Sequence, residues 1–185
     1  YVYNTIILMI GVGVLSMIFG VSSAWVVTRY NFFGKNFFEW ALLLPAAVPA
    51  YIIAYTYTDF LEYAGPFQKF LREMFNWNSA NDYWFPEIRS MGGAILVMSC
   101  VLYPYIYMMT RASFLTVPLS FYQTSLIYGR SSFFSVALPL ARPGIFAGLA
   151  LVLMETISDF GTVDYFALET LTLGVFNVWL GMNSL

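Results

Sequence analysis

Residues 1–28 read YVYNTIILMIGVGVLSMIFGVSSAWVVT and carry no charged side chain. Crossing the hydrocarbon of a bilayer takes about 20 helical residues, so this stretch alone places the chain in a membrane and predicts a span at 5–27. The same measure predicts spans at 40–58, 90–110 and 143–160. Pro45 and Pro49 lie within the second and Pro104 is expected to kink the third; membrane helices tolerate proline where neighbours satisfy the freed carbonyls. The fourth is weaker, because it includes Glu155 and Asp159. The uncharged tail at 170–185, interrupted by Gly174 and Gly181, reads as an interfacial or re-entrant helix. The expected fold class is an all-α integral membrane protein, a polytopic helical bundle of about four spans with interfacial helices.

Composition agrees. Hydrophobic residues make up 60% of the chain and charged ones 10%, against about 25% charged in a soluble domain. A net charge of −2 and the absence of histidine argue against nucleic-acid binding and against a histidine-built metal site, so no metal ligands are expected. The single Cys100 allows no internal disulfide. No Gly-x-Ser-x-Gly elbow, His-Glu-x-x-His or phosphate-cradling loop is present, so the chain reads as neither an enzyme nor an ATPase.

Charge orients the spans. Segments 29–39 and 111–142 hold Arg29, Lys35, Arg111, Arg130 and Arg142 against one acid, Glu39; segments 59–90 and 155–185 hold three basic residues and nine acids. The positive-inside rule puts the first pair of segments in the cytoplasm and both termini outside. An external start with no leader, and an end just short of a further span, read as a portion of a longer chain.

Two places look functional. On the basic side, a short helix is expected to end at Gly129, where a left-handed cap is free of strain. Leu138-Pro139-Leu140-Ala141-Arg142-Pro143-Gly144 is then expected to form a rigid turn and a proline-started helix entry. The pattern fits a loop that grips a soluble partner, or an ordinary inter-helix loop. On the acidic side, Glu155 and Asp159 are four apart and share a helix face. A charge at membrane depth costs about 2.5–3.5 kcal/mol, so they read as the lining of an outer mouth, or Asp159 as a cap at the membrane surface. Nearby, Gly65-Pro66 marks a turn. After it Phe67, Phe70, Leu71, Met74 and Phe75 recur at helical spacing opposite Gln68, Lys69, Arg72 and Glu73, the pattern of an interfacial amphipathic helix. It could serve as a lid or as a docking surface. Residues 76–86 read as loop.

Gln123-Thr124-Ser125, three residues, Gly129 and then Leu138-Pro139 resemble the cytoplasmic coupling loop of ABC importer permeases, whose pattern is Glu-Ala-Ala, three residues, Gly and a later Leu-Pro. Gln123 stands for the acid, Thr124 and Ser125 for the alanines, and the Gly-to-Pro gap is about three residues shorter. Leu44-Pro45-Ala46-Ala47-Val48-Pro49-Ala50-Tyr51 through Gly65-Pro66, and Glu155 through Phe166, are similar to the first permease half of ferric-iron importers. The resemblance covers essentially all 185 residues and implies a partial permease domain that lacks the first and last span of its half, with the coupling loop at 111–142.

It also implies that a helix at about 117–128 docks on a cytoplasmic ABC ATPase dimer, with Gln123, Thr124 and Ile127 on one face and Leu119, Tyr122 and Leu126 on another. Gln123, Thr124, Ser125, Ile127, Gly129, Leu138 and Pro139 are then the coupling residues. Further implied partners are a soluble substrate-binding protein on the outer face, a second permease half and the lipid of a bacterial plasma (inner) membrane. This chain would bind no cofactor, since the partner subunit uses ATP-Mg. The expected cargo is ferric iron; thiamine or another small solute, or a purely structural membrane subunit, are the alternatives.

Overall fold

The structure, a computed structural model, describes residues 1–77, 82, 83 and 85–181. The helices are α1 (Val2–Arg29), α2 (Lys35–Ala41), α3 (Ala50–Leu61), α4 (Pro66–Phe75), α5 (Met91–Thr116), α6 (Leu119–Ile127), α7 (Leu138–Ser158), α8 (Gly161–Tyr165) and α9 (Leu171–Gly181). Among the described residues, three helices are long and apolar enough to cross a membrane: Val2–Arg29, Met91–Thr116 and a continuous Phe133–Ser158.

These three pack side by side around α5. Gly20 of α1 and Gly148 of α7 both press on Ile106: a Cβ at Gly20 would lie 2.8 Å from the Ile106 Cβ, and one at Gly148 would lie 2.7 Å from the Ile106 Cα. Lipid tails are as apolar as leucine, so spans associate through close packing of small residues. Leu8, Val12, Ala24, Val97, Met98, Ile106, Ala141 and Val152 form the resulting buried seam. Ser16 and Ser99, both fully buried, add long 3.5 Å hydrogen bonds across α1 and α5.

The expected second span is not a straight helix. Lys35–Ala47 and Ala50–Phe75 meet at 99°. Leu44–Ala47 tightens into a 3₁₀ turn, and Val48, which precedes Pro49, turns extended at φ −112° and ψ 130°. Proline removes a donor and pushes the residue before it out of the helical region, and the last bond before the break is the 3₁₀ one from the Val48 N–H to the Pro45 carbonyl at 3.3 Å. Pro104 and Pro143 sit inside α5 and α7 without ending them. Pro104 is buried among neighbouring helices, whereas Pro143 is exposed.

The fourth span also differs from expectation. It begins at Phe133 rather than 143, so Leu138 and Pro139 lie in a helix and not in a turn. A π-turn at Phe133–Ala137 makes this possible. The Leu138 N–H bonds to the Phe133 carbonyl, one residue further back than in an α-helix, and such widened turns absorb the bond that proline cannot make.

The ends of the bundle sort as the charge pattern requires. Asn4 and Thr5 bond to Glu169 and Leu171, and Arg89 sits over Tyr165, at one end. Arg29 and Glu39 contact Tyr122 and Arg111 at the other. α1 runs from one end to the other over its 28 residues, roughly 40 Å at the α-helical rise. Part of the 76–86 stretch (78–81 and Trp84) and the last four residues of the tail lie outside the described residues.

α4 forms where expected, but Gln68 is not on a solvated face. It is 5% exposed, donates to the Leu61 carbonyl at 2.7 Å and accepts from the Tyr83 hydroxyl at 2.5 Å. Lys69, Phe70, Glu73, Met74 and Phe75 are exposed. The helix therefore turns Gln68 toward the protein and exposes polar and apolar side chains together.

Gly148→Ala drives a methyl into the backbone of α5, and overpacking of this kind costs about 1–3 kcal/mol. A lowered thermal unfolding midpoint in detergent is expected, whereas alanine at Gly181, which has open space around it, leaves the midpoint unchanged.

Candidate functional site

α6 connects two of the bundle helices: α5 ends at Thr116, Val117 and Pro118 turn the chain, and α7's helix resumes at Ser132. Its C-terminus is a complete left-handed cap. The Gly129 N–H bonds to the Leu126 carbonyl at 3.0 Å and the Arg130 N–H to the Ser125 carbonyl at 2.9 Å, with Gly129 at φ +63°. This is the Schellman pattern. Nothing lies within 4 Å of a Cβ built on Gly129, so backbone conformation alone selects glycine there.

The inward face of α6 is narrow. Tyr122 and Ser125 are buried, while Gln123, Thr124, Leu126, Ile127 and Tyr128 are exposed, Ile127 at 83%. Gln123, Thr124 and Ile127 thus face outward. Leu119 and Leu126 do not join Tyr122, because a nine-residue helix lying on the bundle end can bury only one stripe. Ser125 shares a 2.9 Å hydrogen bond with Ser132, tying α6 to the start of the next helix. It positions α6 and is not part of its open face.

What seats α6 is an aromatic cluster that sequence reading did not single out. The Trp25 ring meets Phe133 at 5.0 Å, Phe114 at 5.7 Å and Tyr122 at 6.2 Å. Edge-to-face aromatic pairs contribute about 0.5–1.5 kcal/mol each beyond burial. Arg29 lies 5.3 Å over the Tyr122 ring. Burial raises the Tyr122 phenol above its usual pKa and the Arg29 charge partly offsets this, so the ring stays neutral. The only signal for this cluster in the sequence is the coincidence of four aromatics near span ends. Beside α6, a groove of about 560 Å³ is lined by Phe121, Thr124, Tyr128, Arg130 and Val136. Leu138 and Pro139 lie in α7 behind it and contribute through the π-turn that places Val136.

The outer carboxylates separate. Glu155 is exposed on α7, but Asp159 lies one residue past its end, so the two do not share a helical face. Asp159 Oδ1 accepts from the Thr162 N–H at 2.7 Å and Oδ2 from the Thr162 hydroxyl at 2.9 Å. It caps α8. Among the described residues no group of three or more acidic, histidine or cysteine side chains converges as a metal site.

The amino-acid sequence of this bundle matches a known family. The sequence profile of the binding-protein-dependent transport system inner membrane component matches residues 16–177. The chain belongs to this family. A ferric-iron transport system permease protein of Haemophilus influenzae is 27% identical over 94% of the chain and 30% of that protein. A molybdenum transport system permease protein of the same organism is 29% identical over 88% of the chain and 71% of its own length. A probable sulfate transport system permease protein of Chlorella vulgaris is 27% identical over 80% of the chain and 54% of that protein. The chain thus spans about a third to under three quarters of the relatives it matches.

Substituting Trp25 with alanine removes the seat without touching the open face of α6. The expected result is faster proteolysis between 117 and 131 in the folded protein, with the spans intact. Gly129→Val strains the cap at little packing cost, by about 1–2 kcal/mol, and the same protease assay should report fraying confined to the end of α6.

Proposed function

We propose that this chain is the permease portion of an ATP-driven importer in a bacterial plasma (inner) membrane, with α6 as the element that docks on a cytoplasmic ABC ATPase dimer. The observation that carries the reading is the placement of α6: a capped helix with an exposed face of Gln123, Thr124, Leu126 and Ile127, fixed between the spans it would move. Rigid seating on Trp25 and Phe133 lets nucleotide-driven closure of a partner pass into α5 and α7 as rigid-body motion. The ATP-Mg would be held and used by that partner. A soluble substrate-binding protein would deliver cargo at the outer face, and a second permease half would complete the path.

We read the cargo as ferric iron. A ferric-iron permease matches nearly the whole chain, and the outer segments carry nine acids against three basic residues, a field that favours a cation or its carrier over an oxyanion. Screening limits that field to about 8–10 Å, so it steers encounter more than it selects. A second reading, molybdate or sulfate, rests on the relatives of comparable identity that carry those names. In either case Glu155 and the Asp159 turn would form the outer mouth. Reconstituted with its ATPase, the complex should hydrolyse ATP faster with an iron-loaded binding protein than with the empty one. Stimulation only by a molybdate- or sulfate-loaded protein overturns the iron reading and leaves the importer intact; failure of the chain to co-purify with any ABC ATPase overturns both.

A further inference from the structure

At the basic end of the bundle, segments 29–39 and 111–142 hold Arg29, Lys35, Arg111, Arg130 and Arg142 against one acid, Glu39. That acid is taken, because Glu39 Oε2 meets an Arg111 terminal nitrogen at 2.8 Å. Arg29 lies over the Tyr122 ring, and Lys35 Nζ reaches the Asn31 side-chain oxygen at 3.4 Å. Arg130 and Arg142 are exposed, and neither forms an ion pair among the described residues. Their surroundings differ. Arg142 lies on α7 outside the groove beside α6, whereas Arg130 lines that groove with Phe121, Val136 and the hydroxyl-bearing Ser120, Tyr128 and Ser135. Among the described residues these three hydroxyls have no hydrogen-bond partner. Arg130 is also the only charged residue between Arg111 and Arg142. Its backbone is fixed: the Arg130 N–H bonds to the Ser125 carbonyl at 2.9 Å across the Gly129 turn, and the Ser125–Ser132 hydrogen bond ties that turn to the next helix. One wall of the groove is therefore α6 and the other the π-turn at Phe133–Ala137.

We infer that this groove is a socket for a carboxylate side chain of the ABC ATPase, with Arg130 as the residue that receives it. The inference rests on the importer reading and names the chemistry of the partner's surface. The one acid on this side of the chain is already paired, so a countercharge for Arg130 has to come from another molecule. A guanidinium offers a planar fork that takes both oxygens of a carboxylate, and the open hydroxyls beside it can donate to the same group. An aspartate or glutamate on a segment seated against Phe121 and Val136 meets both demands; a basic or wholly apolar surface meets neither. The groove is lined by α6 and the π-turn, with no residue of α1 or α5, which places it at the end of the bundle and favours a soluble chain over a lipid headgroup as the source. A contact there touches α6 and the π-turn together, so movement of the partner passes to α7 directly as well as through the aromatic seat.

Salt dependence separates this contact from a structural role for Arg130, since a charge pair is screened and a helix end or an apolar seat is not. In the complete permease, Arg130→Gln should weaken association with the ATPase subunits roughly tenfold at low salt. Its association should no longer vary with salt, and at high salt it should equal that of the parent. Arg130→Lys, which keeps the charge and loses the fork, should fall between the two and keep the salt dependence. Arg142→Gln, outside the groove, should leave association unchanged. Arg130→Glu should abolish recruitment, and a change of one Asp or Glu to Lys in the ATPase should restore it. The same salt dependence in the parent and Arg130→Gln, a loss that is equal at every salt concentration, an equal loss from Arg142→Gln, or failure of every such ATPase change to restore Arg130→Glu overturns the inference. A parent chain that recruits no ATPase overturns the importer reading instead.

Discussion

The constraint on which the rest of the structure depends is the approach of α1 and α7 to one residue of α5. Gly20 and Gly148 bring two backbones against Ile106 from two sides. In lipid no solvent-driven force gathers helices, so this contact and the small-residue seam around it set the geometry of the frame. Everything at the basic end inherits that geometry. Trp25, Phe114 and Phe133 come from α1, α5 and the π-turn before α7, and they meet only because the frame aligns those three ends. α6 rests on the result. A helix of nine residues is too short to be stable alone, so its position reports the frame, and any force on it is returned to the frame.

The bent element at 35–61 shows the opposite balance. It buries Ala54 and Thr58 on α3 and none of α2 or the 3₁₀ turn, with Leu42, Leu43, Ala50 and Ile53 packed against the core from its edge. A rigid three-helix frame and a weakly packed fourth element follow from the same sequence because proline is handled differently in each. Pro104 is buried inside α5 and Pro143 lies near the start of the long α7, whereas Pro45 and Pro49 flank a 3₁₀ turn that buries no residue.

That difference also marks the limit of what the sequence discloses. The first and third spans are legible from uncharged length alone, because a bilayer's thickness sets their minimum and no tertiary information is needed. The break at Pro45–Pro49 is not legible, since the tolerance of a proline depends on neighbours that a linear reading does not contain. The fourth span was expected ten residues late, because Arg142 and two prolines look like a boundary, while a π-turn and a long side chain able to reach the surface carry the helix through them. Gly129 was legible, its left-handed cap being a purely local property. The burial of Tyr122 was not, because that ring packs against Trp25, nearly a hundred residues away.

Asp159 shows how local chemistry narrows a functional question. A carboxylate that accepts two hydrogen bonds from Thr162 has part of its charge absorbed by the turn it caps. It is held there, aimed at α8 and not along the face of α7. Glu155 accepts no such bond from a neighbouring turn and stands exposed on the helix. Of the two acids near the end of α7, Glu155 is therefore the one that stands open to solvent. A cation is drawn to that charge and an oxyanion is opposed by it, within a screening length of about 8–10 Å.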